Sequence, residues 1–405
     1  MFLTVIYADS LQRDGRWANE LLSSLIRLTP FGKNYFLLLS RRNAWAIPFL
    51  NPENIIVIGQ VNIAYQLSKS LNNTNVHFVP AECWLSEDEY MAMYPDDIII
   101  YKKMSNIYFW GKKSFQWFSE HRSHCNPDLN LHIIGYPRQQ FLDKIKHLNS
   151  KNSKNYIGLV GRFSGINDLY HRPPLSLIQS DTTNYSSRRL LVETKIFSYY
   201  DHIITTLNAS KSISLRPHPN EDRHMYLKTK NYHLDTSIDN IDWFTDVSIL
   251  VGCLSTSIID SYFAGIPYIC IDKLLGTFDE SLALEPALIK AVPFCIFPAS
   301  ETELHCLLNE NPHNLLKKII PSPRDVHSLD QSFDPNFLNS AEAAAKINSN
   351  LVHSSETSFY SPTYLFRLIS ILLFRLLDIF HQLLHRYFKP HRLLFDYSNL
   401  FHEFK

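Results

Sequence analysis

Short apolar runs of strand length alternate with amphipathic stretches of helical period through the first 135 residues. Residues 2–7 (FLTVIY) are β-branched and aromatic, which suits a strand. A polar loop, ADSLQRDGR, follows, and WANELLSSLIRL then places apolar residues at helical spacing. YFLLLS (35–40), IIVIG (55–59) and VHFVP (76–80) read as further buried strands, with a helical VNIAYQLSKSL between the last two. Ile107–Trp110 is again apolar, and LHIIG (131–135) closes the series. Buried strands alternating with helices predict a parallel sheet covered on both faces. The polar run HLNSKNSKN at 147–155 lacks apolar periodicity and is expected to be a linker. A second series follows: YIGLVG (156–161), a helix through 186–209, SISLRP (212–217), ILVG (249–252) and YICID (268–272). The reading is α/β, with two doubly wound, Rossmann-like domains over 1–150 and 151–350. Ligands of such sheets bind beyond the carboxyl ends of the strands, so the cleft between the domains is the expected site.

The tail, 361–405, breaks this pattern. From Tyr364 to Lys389 it reads YLFRLISILLFRLLDIFHQLLHRYFK, with its polar positions gathered on one side of a helical wheel. That side carries Arg367, Arg375, Arg386 and Lys389 against Asp378, and the longest uncharged stretch is 368–374. A bilayer span needs about 20 apolar residues. An in-plane helix on an anionic membrane surface fits the pattern. A core helix or a dimer helix would have the same period.

Bulk composition narrows the function classes. Lys+Arg and Asp+Glu both number 39 in 405 residues, so net charge gives no support for a nucleic-acid partner. The six cysteines include no C-x-x-C pair and no histidine at zinc-finger spacing, and most lie in apolar runs, so buried free thiols in a reducing compartment are expected. MFLTVIYADS has no basic leader and reads as a first strand instead of a signal peptide, which implies cytosolic retention. No G-x-G-x-x-G and no G-x-x-x-x-G-K-[ST] occurs, which argues against a dinucleotide oxidoreductase or a P-loop ATPase.

Two stretches carry candidate chemistry. In GCLSTSIIDSYFAGIP (252–267), Ser255, Thr256 and Ser257 fall at a strand-to-helix turn. Amides and hydroxyls at the positive end of a helix can cradle a phosphate, although the same residues make an ordinary N-cap. Asp260, one turn on, is placed to accept hydrogen bonds from a ribose diol. In SLRPHPNE (214–221), Pro217 and Pro219 restrict the backbone around His218, and Arg216 supplies a fixed cation at a strand end. Both side chains can neutralise a phosphate leaving group, and a surface histidine would also fit. Glu221 is expected to cap a following helix or to orient Arg216. Arg162, Ser164 and Asn167 follow the first strand of the second domain, where they either touch donor phosphates or stabilise a loop.

Together, Arg216, His218, Pro219 and Glu221, the segment from Trp243 to Gly252, and Ser255, Thr256, Ser257, Asp260, Gly265 and Pro267 resemble bacterial glycosyltransferases of GT-B fold that build capsules and other surface polysaccharides. FWGKKSFQWF (109–118), HIIGYPRQQFLD (132–143), LQRDGRWANELL and IGLVGRFSGIN (157–167) extend the resemblance over roughly 1–350. The HP and S-T elements are also similar to those of bacterial sialyltransferases and Kdo transferases, which use CMP-sugars. The resemblance implies an inverting, metal-independent transfer, with no cofactor beyond a CMP- or UDP-linked sugar donor. The acceptor would be a glycan or lipid-linked molecule, and the enzyme cytoplasmic, peripheral at the inner membrane face through 364–389. The absence of any D-x-D agrees with transfer without metal. His218 and the 255–257 turn would stabilise the departing phosphate. Asp260 would contact the ribose or sugar. Relatives carry the base in an acidic-acidic-glycine element; here the matching stretch is Ala81-Glu82-Cys83, and Glu82 is the candidate. Glu87, Asp88 and Glu89 are reserves that read as a solvated helix start, and Asp14 is a further candidate. Alternatives are transfer of a polyol phosphate from CDP-glycerol, or a non-catalytic subunit that keeps the fold.

Overall fold

The structure is a computed structural model of the chain. It describes residues 2–29, 34–71, 74–81, 86–149, 156–167, 185–207, 212–218, 221–222, 226, 232–237 and 239–351. Glu82, Cys83 and the tail 361–405 lie outside these residues.

Among the described residues the strands form two sheets. β1 (Phe2–Ala8), β2 (Asn34–Ser40), β3 (Asn54–Gly59), β4 (Asn75–Pro80), β5 (Met104–Phe109) and β6 (Asn130–Ile133) lie in the order β2-β1-β3-β4-β5-β6. β7 (Tyr156–Val160), β8 (Ser212–Arg216), β9 (His233–Leu234), β10 (Val247–Gly252) and β11 (Tyr268–Cys270) lie in the order β11-β10-β7-β8-β9. Every pairing is parallel. These are two Rossmann-like, parallel-sheet domains. Alternation along the strands feeds two cores. Val5 and Tyr7 of β1 pack with Ile55 and Val57 on one face, while Ile6 and Ala8 pack with Ile56 and Ile58 on the other.

In each sheet the chain starts at an interior strand and winds first to one side, then to the other. The reversal falls between β1 and β3 in the first sheet and between β7 and β10 in the second. Such switch points open a crevice at the carboxyl ends of the strands.

One element departs from the sequence reading. Residues 11–16, expected within a loop, are the first turns of the helix Leu11–Leu28, and the Ser10 carbonyl accepts from the Asp14 amide (2.8 Å). The buried stripe of this helix, Trp17, Leu21 and Leu25, begins only after a polar first turn, so hydrophobic periodicity registers the helix late. Asp14 is therefore a helix residue.

After the second sheet the chain returns to the first. The helix Pro323–Ser332 packs on Lys112–His121, and Ser340–Asn348 packs on Leu11–Leu28. The Asp334 amide donates to the Trp110 carbonyl (2.9 Å) and the Leu338 amide to the Ile134 carbonyl (2.9 Å). A single core joins Trp17, Trp110 and Tyr136 to Trp243, Ile258 and Tyr268, and to Phe333 and Ile347 of the return segment. Among the described residues no helix is long and apolar enough to cross a membrane. The described cysteines are free; Cys125, Cys253 and Cys270 are buried as expected, whereas Cys306 is exposed.

Gly135 shows why the return segment needs a glycine beneath it. Its φ is +80°, and a Cβ there would lie 2.4 Å from the Phe337 Cα. Gly135→Ala combines a disfavoured backbone with a steric clash. It should lower the unfolding free energy by more than about 1 kcal/mol, read as a reduced urea midpoint. An unchanged midpoint would mean that the segment does not depend on this approach.

Candidate functional site

The carboxyl ends of β7, β8 and β10 present three neighbouring loops. β7 runs into Gly161–Asn167, and the Gly161 amide donates to the Arg216 carbonyl (2.7 Å). A Cβ on Gly161 would meet that carbonyl at 2.6 Å and the Pro217 Cα at 2.8 Å, so only glycine lets the two loops touch. Buried carboxylates set the loop's shape. Glu193, 2% exposed, accepts from the amides of Gly165 (2.7 Å) and Ile166 (3.2 Å). Glu221 accepts from the Phe163 amide and from the Tyr226 hydroxyl (2.6 Å). Burial pushes the Glu221 carboxyl up to about 7. The Asn167 side chain donates to the Asp222 carbonyl (3.0 Å), and Ser164 accepts from Arg189 Nη2 (2.5 Å), whose Nε donates to Glu193 (2.7 Å).

Of the two readings for Ser164 and Asn167, these contacts match loop stabilisation. Among the described residues Glu221 joins the loops after β7 and β8; most of the segment it was expected to cap lies outside them. Arg216 is paired with Asp235 and donates to the Ser237 hydroxyl (2.8 Å). That ties it to the segment following β9.

The loop after β10 is held as firmly. Asp272, fully buried, accepts from the Leu254 amide (2.6 Å) and from the hydroxyls of Thr277 (2.8 Å) and Ser281 (2.5 Å). Arg162 donates to the Leu254 carbonyl and to Glu285. Thr256 is exposed, and its side chain makes no cap hydrogen bond to the helix Ser257–Phe263. The N-cap reading of this turn is therefore not realised, and the Thr256 hydroxyl faces solvent beside half-buried Ser255 and Ser257.

Asp260 has different partners from the ribose expected of it. It is 6% exposed and accepts from the Tyr136 hydroxyl (2.7 Å) and from Arg138 Nη1 (3.0 Å), both contributed by the turn after β6. Burial opposes the Arg138 charge, but Asp260, then Tyr136, Asp239 and Asp14 outweigh it and hold the guanidinium protonated. Trp110 packs on the Tyr136 ring (4.7 Å between centroids). Arg16 adds a second bridge, to Asp239 (3.4 Å) and Asp242. The W-G, G-x-PR and S-T elements thus meet at one junction between the two domains.

His218 lies where this junction opens. The imidazole is held down at about 4, first by burial and then by the charges of Arg162, Arg189 and Arg13. Arg13 comes from the first turn of Leu11–Leu28, so both domains contribute. Beside it Asp14, 6% exposed, accepts from Arg13 Nε (3.2 and 3.1 Å). Burial lifts the Asp14 carboxyl to about 6, against the opposing charges of Arg13 and Arg138. The arrangement sets a neutral imidazole in a field of guanidinium groups, which favours an anionic ligand; Asp14, paired with one of those guanidiniums, is a carboxylate that can accept a proton near pH 6. Glu87, Asp88 and Glu89 form the expected acidic helix start, with Glu89 and Ser86 in a capping box. Glu82 is outside the described residues.

Several of these residues escaped the sequence reading. Glu193 and Asp272 act through backbone amides distant in sequence, and Arg13 and Arg189 look like ordinary helix-surface cations. Arg13, Arg138 and Asp272 stand in LQRDGRWANELL, HIIGYPRQQFLD and YICID, but nothing in those stretches marks their partners.

No protein-family model and no curated protein matches the chain. Solved structures do. The wall teichoic acid polymerase TagF, in a histidine-to-asparagine variant soaked with CDPG, superposes with a TM-score of 0.50 at 12% identity, over 86% of this chain and 88% of that one. A second TagF variant gives 0.51 at 11% identity with the same coverage. An S. aureus MnaA–UDP co-structure superposes more loosely, at 0.45 and 12% identity over 89% of this chain and 100% of that one. At such identities the TagF likeness is one of fold, and it gives the chain the GT-B architecture.

The junction predicts a stability effect. Asp260→Ala strips a buried guanidinium of its partner and should cost about 3–5 kcal/mol, measured by chemical denaturation. If Asp260 served only a bound ribose, the unfolding midpoint would stay put and nucleotide affinity alone would fall.

Proposed function

We propose that the chain is a glycosyltransferase that moves a sugar from a CMP- or UDP-linked donor to a glycan or lipid-linked acceptor in surface polysaccharide biosynthesis, with inversion and without metal. The observation that carries this reading is the positive field of Arg162, Arg189 and Arg13 around His218, in the loop after β8. Each guanidinium is also held by a carboxylate, Asp14, Glu285 or Glu193, which fixes its position before a ligand arrives. Preorganised cations of this kind stabilise charge that develops on a departing phosphate. The donor phosphate would lie against His218 and the 255–257 turn. Arg216 and Ser164, with protein partners of their own, would act by positioning the loops around it.

The acceptor hydroxyl needs a base, and two carboxylates compete: Glu82, just after β4, and Asp14, whose carboxyl already sits near the useful range. A lipid-linked acceptor would bring the enzyme to the inner membrane face, where the amphipathic 364–389 stretch would hold it. A second reading, transfer of a polyol phosphate from CDP-glycerol, draws on the shared fold of TagF, whose structure was obtained with CDPG. It uses the same anion site but breaks a different bond: the acceptor hydroxyl attacks the β-phosphorus, glycerol phosphate is transferred and CMP leaves, instead of cleavage at the sugar carbon.

A thermal-shift panel of CMP, UDP, GDP and CDP-glycerol tests the site. A true ligand at a hundred times its Kd should add about 2.7 kcal/mol to stability. His218→Ala should weaken that ligand by more than about tenfold, since a hydrogen bond to a charged group contributes about 1.5–3 kcal/mol. A folded protein that binds none of them would leave the non-catalytic subunit as the correct reading.

Nucleotide release from the donor so identified, followed against pH, decides the base. With Asp14 in that role, kcat/KM falls below about pH 6 as its carboxylate protonates. Asp14→Asn then lowers turnover by about 10²–10⁴ and abolishes that limb. Full loss in Glu82→Gln, with the limb intact in Asp14→Asn, would assign the base to Glu82.

A further inference from the structure

We propose that Asp96, His124 and Cys125 form a binding site for a zinc-like divalent cation, separate from the cleft. Asp96 lies in the turn between the helices Glu87–Met93 and Ile98–Tyr101, and His124 and Cys125 lie in the short turn Ser123–Cys125 that follows Lys112–His121. Both turns precede strands, β5 and β6, and so sit at the amino edge of the first sheet. The cleft opens at the carboxyl edge. The separation of 29 positions between Asp96 and Cys125 hides the pairing from any reading of motif spacing.

Three donor atoms converge on one point. Asp96 Oδ1 lies 3.2 Å from His124 Nε2, Cys125 Sγ lies 3.6 Å from His124 Nε2, and Cys125 Sγ lies 3.6 Å from Asp96 Oδ1. Zinc binds thiolate sulfur at about 2.3 Å, imidazole nitrogen at about 2.0–2.1 Å and carboxylate oxygen at about 2.0–2.2 Å. At tetrahedral angles those bonds give donor–donor edges of roughly 3.3–3.6 Å. The observed triangle is already of that size, so a cation could enter with little movement.

Atom identity separates this from a nucleophile–base–acid chain. In such a relay the thiol and the carboxylate engage opposite nitrogens of the imidazole, so that a proton passes through the ring. Here both face the same atom, Nε2. A single shared nitrogen cannot relay a proton between them, but it is what three ligands of one ion require. Thiolate, imidazole and carboxylate together suit zinc better than calcium or magnesium, which prefer all-oxygen sets.

The surroundings hold the ligands in place. Arg122 Nη1 approaches the other carboxylate oxygen, Asp96 Oδ2 (3.8 Å), leaving Oδ1 to the site. Arg122 is itself fixed by the Tyr94 carbonyl (2.8 Å) and by the Trp117 ring (5.0 Å to the centroid). Cys125 is buried, and its amide donates to the Arg122 carbonyl (2.9 Å). Such outer contacts orient metal ligands. His124 also borders an open hollow of about 340 Å³, so water reaches the fourth position. On binding, the thiol proton leaves to solvent and a sulfur–metal bond forms, with no change of oxidation state.

The test is a Co²⁺ titration of the full chain after chelator treatment. The expected result is one equivalent bound, with tetrahedral d–d absorption and a thiolate-to-cobalt band, both removed by one equivalent of Zn²⁺. Cys125→Ser should erase the thiolate band. Asp96→Asn and His124→Ala, both at exposed side chains, should each weaken binding by more than about tenfold while leaving the fold intact. With 18 histidines in the chain, these variants also exclude binding elsewhere. Absence of saturable one-equivalent binding, or equal affinity in Asp96→Asn and His124→Ala, overturns the proposal.

Discussion

The structure turns on one buried ion pair. Asp260 from the second domain meets Arg138 and Tyr136 from the first, with both charged side chains below a tenth exposed. A lone carboxylate or guanidinium at such a site would be heavily penalised for leaving water. Each therefore needs the other, and Tyr136 gives Asp260 a second hydrogen bond. Burial of the pair also explains its specificity. Sliding one domain against the other by a residue would strand two charges, so the junction accepts one register. The shared apolar core, from Trp110 and Tyr136 to Phe333, supplies the non-directional part of the association.

The same chemistry recurs within the second domain. Glu193, Glu221 and Asp272 each place a buried carboxylate against backbone amides of a loop. Loops cannot satisfy their own amides as helices and sheets do, and a buried acceptor is one solution. The result is a set of strand-end loops whose shape is set from behind, by groups that never need to touch a ligand.

The sequence made the strands legible because parallel strands buried on both faces appear as unbroken apolar runs; FLTVIY, IIVIG and VHFVP all land on β1, β3 and β4. It made the elements around His218 and Ser255 legible because strand-to-loop transitions change composition abruptly. It misread the start of Leu11–Leu28 because that first turn faces the junction and is polar, and polarity resembles a loop. Asp260 was assigned to a ligand because a carboxylate one turn into a helix looks the same whether its partner is a ribose or an arginine 122 positions earlier. Glu221 was similarly ambiguous: neither a motif nor a period can say which amide a buried acid will accept from.

The first turn of Leu11–Leu28 then gains a role that neither domain could supply alone. Consecutive residues on a helix point about 100° apart, so Arg13 and Asp14 can serve different neighbours. Arg13 extends a positive charge to His218 across the junction. Asp14 is buried by the same packing, and its carboxyl rises towards the range of a working base. The cation beside His218 and the buried carboxylate are thus neighbours in sequence and are paired directly, with Arg13 Nε 3.1 Å from an Asp14 oxygen. Arg138 links the two settings: it pairs with Asp260 and, after burial and Arg13, also acts on the Asp14 carboxyl, lowering it. Adhesion of the domains and the ionisation of Asp14 are therefore coupled through one guanidinium.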